Sequence, residues 1–145
     1  MNNENIRKEF EDYLNISHNK FWLILLGTNK NVRFLKEAEK NGQLDAYLQD
    51  FANAFTFRKI FMKLGQDYVY CGNFVPVPYH QIAKVYEEKI KNRGIITGRF
   101  LILEDRQGKR LMRVLMMEEA ETNGELATII NVLKTKNPAI HLGYV

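Results

Sequence analysis

Cysteine is almost missing from this sequence: Cys71 stands alone among 145 residues. A single thiol cannot close an internal disulfide, so the stapled secreted scaffolds are excluded and a reducing compartment is expected. Proline is scarce as well, at three residues, and no Pro-rich or low-complexity stretch divides the chain. Long apolar runs are also lacking. The longest, Phe21 to Leu26 (FWLILL), falls far short of the roughly 20 residues that a membrane-spanning helix needs. The opening residues, MNNENIRKEFEDYL, are polar and charged and lack the apolar centre of a secretory leader. A cytoplasmic, soluble protein built as one domain over residues 1–145 is the expectation, of bacterial or phage type by its Asn-, Lys- and Ile-rich coding bias.

The familiar signatures of chemistry are absent too. The histidines His18, His80 and His141 lie in three different segments, with no partner at metal-ligand spacing. The patterns HExxH, CxxC, GxSxG, GxGxxG and GxxxxGK[ST] do not occur, so no metal and no cofactor is expected. A net charge of +4 permits an acidic or nucleic-acid partner without requiring one.

What the sequence does contain is a clear β-hairpin, Ile95 to Met117 (IITGRFLILEDRQGKRLMRVLMM). Asp105 opens its turn and Gly108 closes it, the pattern of a type I turn followed by a glycine in the left-handed region. Pairing Asp105 with Lys109 sets the register outward. It stacks Ile102 on Met112, Phe100 on Val114 and Gly98 on Met116 as the core face. The other face then carries Leu103 with Leu111, Leu101 with Arg113, Arg99 with Leu115 and Thr97 with Met117. A slip of one residue would exchange the two sets.

Around the hairpin, Asn3 to Leu14 reads as a helix, Phe21 to Leu26 as a buried strand, and Val32 to Glu39 as a short helix closed by Asn41-Gly42. Gln43 to Leu64 reads as a long helix with a wide apolar stripe, and Gln66 to Cys71 as a strand. Tyr79 to Asn92 has helical spacing in Ile82, Val85, Tyr86 and Ile90, with Arg93-Gly94 as its stop. Thr122 to Glu125 has capping-box spacing ahead of a stripe of Leu126, Ile129, Ile130 and Leu133, and residues 139–145 form an edge strand or a tail. The fold class is α+β: a mixed or mainly antiparallel sheet containing the 95–117 hairpin, with helices packed mainly on one face.

Three functional readings compete. The favoured one is a non-enzymatic interaction domain that binds a protein partner or itself, with a homodimer preferred. Its contact residues are Arg99, Leu101, Arg113 and Leu115, on the hairpin face left over from the core. The second is nucleic-acid binding by a basic ribbon through Arg99, Arg106, Lys109, Arg110 and Arg113, with Tyr68 and Tyr70 as stacking aromatics. The expected pairing of Glu104 with Arg110 and the other nearby acids count against it. The third is a small-molecule enzyme with a dispersed site around Cys71, His80 and Tyr79, in which the imidazole would favour the thiolate. Against this, a cysteine ending an apolar strand is usually a small buried hydrophobe. The carboxylate pairs Glu87-Glu88 and Glu118-Glu119 read as solvated charges rather than as a tuned acid and base.

Overall fold

The computed structural model describes residues 3–16, 30–118 and 123–143, so the FWLILL segment and Thr122 lie outside the described residues. Helices α1 (Asn3–Tyr13), α2 (Lys30–Lys40) and α3 (Leu44–Ala52) come first. A small antiparallel sheet follows, of β1 (Phe55–Thr56), β2 (Met62–Leu64), β3 (Tyr68–Cys71) and β4 (Val77–Pro78), in that spatial order. The second sheet has the order β7-β6-β5-β8. It combines the long antiparallel strands β5 (Lys84–Asn92), β6 (Ile95–Glu104) and β7 (Arg110–Met116) with the short parallel β8 (His141–Leu142). Helix α4 (Glu125–Lys136) precedes β8. This is the α+β fold that the pattern of apolar spacings implies.

Strand β3 explains how the layers join. Val69 and Cys71 point into a core shared by both sheets and α4, where they meet Ile60, Met62, Ile129 and Leu133. Tyr70 faces the other way, into a second core beneath α1, α2 and α3 with Phe10, Leu48 and Phe51. Alternation along four residues therefore ties a helical layer to a two-sheet layer. The small sheet is locked by the buried Asp50 carboxylate. It accepts the backbone N–H groups of Gln66 and Asp67 at 2.9 and 3.1 Å and the Tyr70 hydroxyl at 2.7 Å. A Cβ at Gly65 would collide with that carboxylate at 2.1 Å, so only glycine fits the turn between β2 and β3.

Two expected helices are corrected. Gln43 to Leu64 is helical only as far as Ala52. The Asn53 side chain donates to the Gln49 carbonyl at 3.0 Å, and Phe55, Thr56 and Met62 to Leu64 then enter the small sheet. Tyr79 to Asn92 is a single 3-10 turn at Tyr79–Gln81 followed by β5. Arg93 (φ 53°) and Gly94 (φ 80°) do not stop a helix. They form a two-residue hairpin turn with both φ angles positive, as a type I′ turn requires.

The 95–117 hairpin is present with the expected turn: Gly108 has φ 78°, and the Asp105 N–H donates to the Lys109 carbonyl at 2.9 Å. Its register holds for one further rung, Glu104 opposite Arg110, and then shifts. A bulge leaves Leu111 unpaired, so Leu103 lies opposite Met112, Leu101 opposite Val114 and Arg99 opposite Met116. The extra residue changes the parity of the pairing. Leu101 and Leu103 join Met112, Val114 and Met116 in the shared core, while Phe100 and Ile102 move to the opposite face. The expected stacking of Phe100 on Val114 is therefore overturned, although Met112, Val114 and the α4 stripe are core as expected.

Candidate functional site

The bulge also divides the residues expected to contact a partner. Leu101 is 2% exposed and part of the core, and Arg99 shares its strand face. Arg113 and Leu115 alternate with Val114 and lie on the opposite face, in register with Ile102 and Phe100. That second face is a row of rungs: Lys84, Glu104 and Arg110, then Tyr86, Ile102 and Arg113, then Glu88, Phe100 and Leu115. One further segment extends it. Ile60 bridges Met116, and the Phe61 N–H donates to the Leu115 carbonyl at 3.1 Å, setting Phe61 beside Leu115.

On this face the arginines are engaged. Arg113 stacks its guanidinium 3.8 Å from the centre of the Phe100 ring and reaches Glu88 at 3.4 Å. Arg110 pairs with the same Glu88 at 2.6 Å instead of with Glu104, which accepts the hydroxyl of Tyr86. That hydrogen bond, with burial and the Glu104 charge behind it, raises the Tyr86 pKa against a smaller opposing effect of Arg110. On the core side of the sheet, Arg99 is held by Glu87 at 2.7 Å. Three of the five cations expected to contact nucleic acid are thus occupied by two adjacent carboxylates of β5. Arg106 and Lys109 sit exposed at the turn.

Along the β5 side of these rungs runs an open groove of about 570 Å³ lined by Lys84, Tyr86, Glu87, Glu88, Lys89, Lys91, Glu104 and Arg110. Its lining mixes cations with carboxylates, and among the described residues its walls carry no nucleophile and base in contact. The stacking pair expected on β3 is also spent: Tyr70 is buried, and Tyr68 packs on Tyr47 at 4.6 Å between ring centres.

The dispersed enzyme site does not assemble. Cys71 is buried, and burial pushes its thiol pKa up to about 12, which leaves it protonated and unreactive near neutrality. Its Sγ lies 3.9 Å from the Arg113 carbonyl, whereas His80 is exposed in a separate groove with Gln81, Asp105, Arg106 and Gln107. Tyr79 is buried and donates its hydroxyl to the Gly65 carbonyl at 2.6 Å. Among the described residues, no three His, Cys, Asp or Glu side chains converge to hold a metal ion, and no helix is long and apolar enough to cross a membrane.

Two groups of exposed residues stand in other elements than the sequence implies. Phe61 falls inside an expected helix, and Lys89, Ile90 and Lys91 fall on another, with Arg93 in its stop. The overlooked signal for the second group was Asn92-Arg93-Gly94 followed by the β-branched run Ile95, Ile96 and Thr97, a turn entering a strand. No family model, curated protein or solved structure matches this chain.

Proposed function

We propose that the chain acts by binding a protein, in the first instance a second copy of itself, through the sheet face that carries Phe100, Leu115 and Phe61. The observation that supports this is the side-by-side exposure of large apolar groups: Phe61 is 49% and Leu115 44% accessible on adjacent backbone segments. Contiguous apolar surface of this kind is costly to leave in water and marks contact sites on folded proteins. The chemistry of the neighbouring side chains fits as well. Arg113 over Phe100 supplies an aromatic and an arginine, the residue types enriched at interface centres.

A two-fold arrangement would set the same face against itself, Phe61 and Leu115 of each copy covering those of the other. Sedimentation velocity tests the reading. The wild type should run as a dimer, and a Phe61→Glu, Leu115→Lys variant as a folded monomer with an unchanged circular dichroism spectrum. A wild type that stays monomeric at its highest soluble concentration would sink self-association.

A further inference from the structure

Strands β5 and β6 run on past the body of the sheet. Pairing of β7 with β6 stops at Arg99–Met116, and pairing of β8 with β5 stops at Val85–Leu142. Beyond those rungs only the two strands remain among the described residues, paired through Ile90–Gly98, Lys91–Ile96 and Asn92–Ile95 and closed by Arg93-Gly94. At about 3.3 Å per residue, the free ribbon projects roughly 13 Å. Every residue from Lys89 to Thr97 is exposed.

The charge on this arm differs in kind from that of the rest of the sheet. Residues 89–103 contain no Asp or Glu. Lys89, Lys91 and Arg93 have no carboxylate partner among the described residues, in contrast to Arg99, Arg110 and Arg113 behind them. Lys89 and Lys91 are two residues apart on one strand and so share a face of the ribbon. At the turn, Ile95 is 69% and Ile96 44% exposed, apolar side chains held out in water at the end of a cationic projection.

We propose that this arm binds the minor groove of duplex DNA. Lys89, Lys91 and Arg93 would neutralise phosphates along the groove, and Ile95 would enter between base steps as an apolar wedge, a combination typical of arms that grip and bend DNA. Binding is led by the backbone and is therefore largely independent of sequence. The arm adjoins the face assigned to protein contact but contains none of Phe61, Phe100 and Leu115, so the inference does not depend on that assignment.

Gel retardation and fluorescence anisotropy with a short mixed-sequence duplex test the inference. Three phosphate contacts give a slope of about −2.7 in log K against log salt, a loss of about 40-fold between about 50 and 200 mM. The Lys89→Gln, Lys91→Gln, Arg93→Gln variant changes only exposed residues and should fold normally while losing nearly all of that slope. Ile95→Ser should keep the slope and abolish bending of the duplex, read by energy transfer between its ends. The inference is overturned if the wild type fails to bind at the lowest salt or if the triple variant keeps the wild-type slope. It is equally overturned if double-stranded RNA or polyglutamate is bound as tightly as the duplex, since undirected charge would then explain the arm.

Discussion

Strand β6 belongs to two hairpins, and the two are built on opposite terms. With β7 it forms a packed hairpin: Leu101 and Leu103 enter the shared core, and the nearby arginines are paired with Glu87 and Glu88. With the far half of β5 it forms a bare one, exposed from Lys89 to Thr97, which among the described residues has both outer edges free and its cations unpaired. A single strand thus carries a root that holds the fold and a tip on which the fold makes no demand. Side chains that folding does not use, repeated along such a tip, are the natural place to look for function.

The sharpest way to break this contrast is to truncate one residue at each end of β6. Leu103 is fully buried, and Leu103→Ala should cost about 2–5 kcal/mol, because the removed methyl groups leave a cavity in a core drawn from two sheets. Ile95→Ala at the tip should stay within about 0.5 kcal/mol, as surface changes away from packing generally do. Urea unfolding followed by circular dichroism measures both. Equal costs at the two ends would mean that the arm packs on something, and the division into root and tip would be lost.

The root was the more legible half of this strand, and only in part. Asp105 and Gly108 wrote the turn into the sequence, and the first rungs followed from it. The bulge at Leu111 left no mark, because leucine suits a paired, an unpaired and a half-buried position equally. One unpaired residue was enough to exchange Leu101 and Leu103 with Phe100 and Ile102. The tip was misread for a different reason. Ile82, Val85, Tyr86 and Ile90 fall at helical spacing, and nothing local opposes a helix there. What decides for a strand is pairing with β6, a contact between residues that a short-range period cannot report. The same limit hid Phe61, whose surroundings are set by the bridge from Ile60 to Met116.

Alkaline pH should probe the buried interior as a whole, the shared core through Cys71 and the helical core through Tyr47. Burial raises the pKa of Cys71 from an ordinary value near 9.0 to about 12, and burial, with the neighbouring Tyr68, carries that of Tyr47 from 10.0 to about 12. The folded state keeps these groups neutral while the unfolded chain ionises. Their contribution to stability is therefore complete below about pH 9 and is lost as pH rises toward 12. Melting temperature should fall with increasing steepness across that window, and Cys71→Ala should flatten the lower part of the fall. Alkylation by iodoacetamide supplies the kinetic counterpart, since Cys71 should react only as fast as the protein unfolds. Rapid labelling at neutral pH would show an accessible thiolate and reopen the nucleophile reading of Cys71.

The smallest expected effect sharpens the comparison most, because it turns part of the root into something like the tip. Glu88 holds Arg110 at 2.6 Å and Arg113 at 3.4 Å, so Glu88→Gln should release two cations at once without removing any apolar contact. Exposed pairs of this kind are screened by water and add little to stability, and the folded state should tolerate the change. Binding of duplex DNA should nonetheless become steeper in salt, by up to about 0.9 in slope for each freed arginine that reaches a phosphate. The gain should appear only while Lys89, Lys91 and Arg93 are intact, because the arm brings the duplex within reach of the root. If Glu88→Gln left the salt slope unchanged, pairing with carboxylates would not be what silences the packed hairpin, and the contrast between the two would rest on shape alone.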